Sequence, residues 1–349
     1  MMKKMFLLLL VLVLAVSIGI VGCTAPAEEE EEEPEEIVLT FGAQASETHF
    51  LGQLLLEWQE KITEDTDGRV QWENYYGGAL VSFDNTYAEV VAGLVDVADM
   101  TPRYEQGEFP IQKRYDPFFI GALTQDAEIS VFTAITQMFP EIEAEFSEVK
   151  ILDHGVVSSP YELMTSKPVY SLDDLDGLQL KSPPGYISVL AEYGATGQVM
   201  SMFELYPSLE TGVIDGLIGQ TETLESFNFA DLLKYHTTLS LPFGPYNGLI
   251  MNLDVWNSLP SDIQQVFEDN REFRTSEYID AWEQITEDGI EYALEQGVEF
   301  IELAPEELAE FHELVKAVAE ERAQELDDQG LPGTEIYTEV KRLIAEYNA

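Results

Sequence analysis

Four histidines, one cysteine and 17 lysines and arginines are the scarce chemical groups in a chain that carries 66 aspartates and glutamates. His49, His154, His236 and His312 lie far apart without ligand-type spacing, which argues for structural or surface roles over metal binding or acid–base catalysis. The sequence contains no Gly-x-Ser-x-Gly elbow, no His-Glu-x-x-His pair and no Walker loop. Asp65-Thr66-Asp67-Gly68 opens like a calcium loop but lacks the later ligands, so it reads as a turn. Carboxylate pairs are undiagnostic in so acidic a chain. The candidates left are groups at the ends of strand-like runs, where open α/β sheets place ligands. Gln44 and His49 follow the first run, Arg103 and Tyr104 follow Met100, Lys181 ends a later run, and Tyr246 and Asn247 come last. In a chain this poor in cations, Arg103 and Lys181 carry the most weight. Phe118, Phe119 and Phe243 stand near these places, and core packing explains them at least as well as a ligand pocket.

The elements that would position these groups alternate. Ile37 to Gly42 is strand-like, and Leu51, Leu54, Leu55, Trp58 and Ile62 recur at helical spacing. A strand over 70–75, a helix over 84–94 and a strand from Val95 continue the order, which predicts a sheet flanked by helices. The pattern restarts with strands at 149–154, 161–165, 178–181 and 213–217, so a second α/β unit follows the first. From Pro260 onward the chain reads as almost wholly helical, with Trp256, Ile263, Val266, Phe267, Tyr278 and Trp282 as buried faces.

The first 36 residues predict location. Lys3 and Lys4 precede an apolar run from Phe6 to Val16, and Ile20-Val21-Gly22-Cys23 follows, the pattern of a secretory signal peptide over 1–22. The run is shorter than the roughly 20 residues that span a bilayer. With cleavage before Cys23, the segment resembles the lipobox of bacterial lipoproteins, and Cys23 is the expected lipidation site. It is the sole cysteine, so no disulfide framework exists. Residues 23–36 hold eight glutamates and should form an extended, self-repelling tether. A net charge of −49 excludes nucleic-acid binding, which needs cations to neutralise phosphates, and disfavours anionic lipid surfaces.

Three internal segments point to one family. The first is Tyr75-Tyr76-Gly77-Gly78-Ala79-Leu80 with Ala92-Gly93-Leu94-Val95-Asp96-Val97-Ala98-Asp99-Met100, and the second is Leu172 to Pro183 followed by Leu190 to Ala195. The third is Glu204-Leu205-Tyr206-Pro207-Ser208-Leu209-Glu210-Thr211-Gly212-Val213-Ile214-Asp215-Gly216. With Phe109-Pro110-Ile111-Gln112, Pro117-Phe118-Phe119, Met251-Asn252, Trp256 and Leu259-Pro260, in this order, the chain resembles the DctP-type substrate-binding proteins of tripartite ATP-independent periplasmic (TRAP) transporters.

That resemblance implies an α/β, two-domain periplasmic-binding-protein-like fold, with a ligand cleft between the domains and a helical C-terminal region. Crossing strands and a long helix would join domain I (37–157 plus 246–288) to domain II (158–245 plus 289–349). It further implies an extracytoplasmic receptor that hands a small molecule, by default an organic acid, to the small and large membrane subunits; the lipobox-like segment adds the lipid anchor, and neither catalysis nor a cofactor is expected. An ABC-type solute receptor and a surface hydrolase are the competing readings. The family's carboxylate-binding arginine, at the end of a "GLxxR" strand, is replaced here by Lys181, and a second arginine position falls on or near Tyr161. A lysine offers a point charge where arginine offers a planar fork, so the usual clamp is altered. Downstream, Gln220-Thr221-Glu222 resembles a branch with Glu222 and Phe227 in an "E-x-x-x-x-F" pattern. Glu222 would repel an anion if it faced the cleft, or pair with Lys181 or an amine; alternatively it is a solvated helix start. Lys181 is expected to meet the ligand's polar end, with Arg103 and Tyr161 as helpers.

Overall fold

The computed structural model describes residues 36–107, 109–122, 124–153, 155, 159–242 and 248–349, without the side chains of Tyr278 and Asp280. The expectations for the signal peptide, Cys23 and the tether before residue 36, and for His154, Phe243, Tyr246 and Asn247, lie outside the described residues.

Two sheets organise the chain. The first strands are β1 (Ile37–Gly42), β2 (Val70–Tyr75), β3 (Val97–Met100) and β4 (Val149–Ile151). They are followed by β5 (Tyr161–Thr165), β6 (Gln179–Lys181), β7 (Thr196–Gln198), β8 (Gly216–Gly219), β9 (Tyr235–Leu241), β10 (Gly248–Asn252) and β11 (Glu299–Glu302). One sheet has the order β2-β1-β3-β10-β4, and the other β11-β9-β5-β8-β6-β7. β1 runs parallel to β2 and β3, while β10 enters antiparallel between β3 and β4 from 148 residues beyond β3. The second sheet is likewise mixed, with β5 antiparallel to both β8 and β9.

Local chemistry explains the elements. His49 caps the helix Phe50–Asp65, its Nδ1 accepting the Leu51 amide at 3.3 Å. Leu55, Trp58 and Ile62 of that helix are buried against Leu39 and Phe41 of β1, each worth about 1.5–3 kcal/mol of apolar burial. The helix ends where Asp67 (φ 52°) and Gly68 (φ 80°) turn left-handed, so the calcium-like tetrad is a helix-terminating turn. The strand expected from Val213 begins only at Gly216: Val213 is exposed, and the Asp215 carboxylate instead accepts the Gln179 amide at 2.9 Å. Any Cβ at Gly216 would fall 2.2 Å from the Met164 carbonyl oxygen of neighbouring β5, hence glycine. Of the expected C-terminal apolar faces, Ile263, Phe267 and Trp282 are buried, while Trp256 and Val266 are half-buried.

Two helices straddle the sheets. The helix Phe273–Glu295 sets Trp282 against Phe50, Leu51 and Leu54 of the first lobe, and Ala293 against Leu224 and Phe229 of the second. The helix Pro305–Asp328 buries Phe311 and Val315 against β5 and β6 residues, then Ala319, Ala323 and Leu326 among first-lobe residues such as Phe118 and Ile135. The last helix, Gly333–Tyr347, packs there too through Ile336, Tyr337 and Val340. The expected placement of all of 289–349 with the second unit therefore needs correction. The apolar stripe of the final helix is complementary to the first lobe's helical face. Among the described residues, no helix is long and apolar enough to cross a membrane.

Candidate functional site

The strand ends converge. β1 and β3 lead into Gln44, His49 and Met100–Tyr104, while β6 and β8 lead into Lys181, Gln220 and Glu222. Because β5 is antiparallel to β8, its first residue, Tyr161, lies at the same edge. These side chains, Pro102 and Arg103 excepted, line an inner cavity of about 150 Å³ between the lobes. A wider volume of about 980 Å³, sharing Gln44, Phe83, Tyr104, Ser201 and Phe203 with it, opens alongside.

Lys181 is 3% exposed and forms no ion pair among the described residues; its Nζ lies 5.9 Å from the centroid of the Tyr104 ring. Tyr104 in turn packs on Phe83, centroid to centroid 4.9 Å, and its hydroxyl hydrogen-bonds that of Tyr161. Burial, with Tyr104 alongside, pushes the Tyr161 hydroxyl well above its ordinary value, so it remains protonated.

Arg103 does not reach the cavity. It sits behind the tyrosines in an ion pair with Asp116, Nη1 to Oδ2 3.3 Å, with both side chains almost wholly buried. Burial raises Asp116 to about 6 although Arg103 opposes the rise. The expected helper is thus a buried structural cation. Phe118 and Phe119 are core residues, fully buried with Phe132 and Ile135.

Glu222 lines the cavity at 1% exposure, its Oε2 accepting from Ser159 Oγ at 3.1 Å. Burial raises its pKa to about 8, so near neutrality the carboxyl is mainly protonated and does not repel an anion. Neither the solvated helix start nor a pair with Lys181 describes it. Asp99, also in the lining, is raised to about 6 by burial, opposed by Arg274, whose Nη1 meets it at 3.1 Å. Arg274 also forks onto Asp153 with two contacts of 2.6 Å.

The other histidines of the described region are structural. His236 Nε2 lies 2.9 Å from Thr221 Oγ1 and its ring stacks on Phe300, while His312 Nε2 bonds the Leu239 carbonyl at 2.7 Å. No group of three or more potential ligands that could hold a metal occurs among the described residues.

Sequence reasoning did not bring Trp282, Phe50, Phe83 or Phe203 to the site. Phe203 follows β7, so the strand-end rule that selected Gln44 applies to it as well. Trp282 carried no such signal, because helical spacing marks a buried face without saying whether it meets core or cavity.

Comparison with known proteins gives this geometry its context. The model of the bacterial extracellular solute-binding protein family 7, DctP, matches residues 41–325. The C4-dicarboxylate-binding periplasmic protein DctP of Rhodobacter capsulatus is 23% identical over 322 residues, covering 89% of this chain and 92% of that protein. A TRAP periplasmic solute binding protein from Desulfovibrio salexigens, solved in an open complex, superposes with a TM-score of 0.74 at 25% identity, over 89% of this chain and 97% of the other. A marine metagenome TRAP solute binding protein specific for aromatic acid ligands, solved with metahydroxyphenylacetate, gives a TM-score of 0.79 at 22% identity, over 90% and 100% of the two chains. The two-lobed α/β fold with C-terminal helices is the fold of these receptors, and the ABC-type and hydrolase readings give way. A binding protein rather than an enzyme, the chain belongs to the DctP family of bacterial extracellular solute-binding proteins, the solute receptors of TRAP transporters.

Proposed function

We propose that this receptor captures a small organic acid between its lobes and delivers it to the small and large membrane subunits of a TRAP permease, held at the membrane by a lipid on Cys23. The observation that carries the reading is Lys181: a buried cation in the inner cavity without an ion-pair partner among the described residues, whereas Arg103 and Arg274 are engaged with carboxylates. A lone buried cation is costly unless an anion joins it. The neutral state of Glu222 near pH 7 supports an anionic ligand, since it removes the repulsion expected from the sequence. Gln44, His49, Tyr104, Tyr161, Gln220 and Glu222 complete the candidate contacts. The relatives named as binding a C4-dicarboxylate and aromatic acid ligands fit the same class. The moving units are taken as 37–157 with 246–288, and 158–245 with the start of the C-terminal helical region, closing by a hinge.

A thermal-shift screen of organic acids, amines, amides and sugars tests this. A ligand at a hundred times its Kd adds about 2.7 kcal/mol of stability. Stabilisation by acids, lost in Lys181→Ala, is expected. Stabilisation by amines or sugars alone, unchanged in the variant, would overturn the acid reading.

A further inference from the structure

The inner cavity has a second polar pole. His49 and Trp282 both pack on the Phe50 ring, with centroids 4.7 and 4.9 Å from it, and both line the cavity. Nδ1 of His49 accepts the Leu51 amide, which leaves the ring hydrogen of the neutral imidazole on Nε2; burial, lowering the pKa to about 4, keeps the ring neutral. Nε2 of His49 is buried with no hydrogen-bond partner, and so is Nε1 of Trp282, a residue 4% exposed. Indole Nε1 can only donate. Two neutral N–H donors therefore border a space that supplies neither with an acceptor. Buried donors are nearly always satisfied, by protein, water or ligand.

The rings of this pole are not those beside Lys181. Among the described residues, no ring contact links the His49–Phe50–Trp282 group, with Phe203 and Phe227, to the Tyr104–Phe83 pair beside Lys181. Among the described residues Lys181 is the lone cation in the lining, so a second carboxylate at the His49 pole would go without a countercharge from them. A cavity of about 150 Å³ walled by rings is the size that admits one benzene ring.

Resting on the acid-receptor reading, we infer that the ligand is a flat monoanion of about one ring, with a neutral oxygen acceptor that takes hydrogen bonds from His49 Nε2 and Trp282 Nε1. An unsubstituted ring carboxylate leaves both donors unpaired, and a dianion pairs them only by placing a second charge away from a countercharge.

Titration calorimetry with benzoate, 3-formylbenzoate and isophthalate tests the pole, with toluene and benzaldehyde as uncharged counterparts. The purified protein is compared with Trp282→Phe, His49→Phe and Lys181→Met. The formyl compound of each pair is expected to bind about tenfold more tightly than its partner, the effect of a well-made hydrogen bond to a buried donor. Isophthalate should gain nothing over benzoate. Either aromatic variant should bring the formyl preference toward one, and the Trp282 indole proton resonance should move downfield with the formyl ligands alone. Lys181→Met should weaken both acids and leave the preference intact. A preference absent from the parent protein, or preserved in both aromatic variants, overturns the second pole. Acid binding that is absent or indifferent to Lys181→Met overturns the anion reading instead, and the toluene–benzaldehyde pair then decides the pole alone.

Discussion

Gly289 lies against the backbone of Glu222: a Cβ built on Gly289 would fall 2.6 Å from the Glu222 Cα. A glycine inside the helix Phe273–Glu295 costs about 1 kcal/mol relative to alanine, and this close approach is the compensation. Gly289→Ala should therefore destabilise the protein, by a net of about 1–2 kcal/mol after the helix gain, because overpacking against backbone cannot relax through a rotamer. Denaturant unfolding reads this directly, and a stabilised variant would show that the contact gives way.

Stability should fall as pH rises from 6.5 to 8.5. Burial raises Glu105, Glu145 and Glu162 to about 7 and Glu222 to about 8, against an ordinary glutamate value of 4.5. In this window the folded chain holds protons that the unfolded chain has released, so each step up in pH favours unfolding. His49 and His236, lowered to about 4, act in the opposite sense but only near 6.5. The net loss is on the order of 3–4 kcal/mol, and Glu222→Gln should remove roughly 2 kcal/mol of it. Melting temperatures across the window would check both statements.

Affinity for an acid should have its own alkaline limit. Above about pH 8 Glu222 ionises and places a negative charge in the cavity that holds Lys181. Binding of a carboxylate probe should weaken between pH 8 and 9.5, as Glu222 gains its charge. Glu222→Gln keeps the shape and should flatten the profile. A profile unchanged in that variant would place the titration elsewhere.

Breaking the pair behind the site should cost far more than any surface contact. Asp116→Asn removes the carboxylate 3.3 Å from the buried Arg103 guanidinium, and about 3–5 kcal/mol of stability should be lost. Arg103→Met with Asp116→Leu, which removes both charges, should recover most of that loss. The two variants are compared by denaturant midpoint at constant slope.

The sequence made the strand ends legible because a strand followed by a loop is a local signal, and Gln44, His49, Tyr104 and Lys181 arrive at one cavity by it; Tyr161, Gln220 and Glu222, which the family resemblance marked, line the same cavity. What stayed hidden depends on distant partners. Arg103 reads as a cation near a cleft until Asp116 is seen to occupy it, and Trp282 reads as core until the surface beside it is seen to be void. The same limit misplaced the C-terminal helices: an amphipathic stripe states that it will be covered, not by which lobe.

The helices Phe273–Glu295 and Pro305–Asp328 each sink one end into each lobe. A change in the angle between the lobes cannot then be a free swing of loops, because it has to flex two rods clamped at both ends or slide them out of their seats. Any closure of the lobes would therefore load these two helices like leaf springs, and part of the energy of solute binding would be spent on bending them.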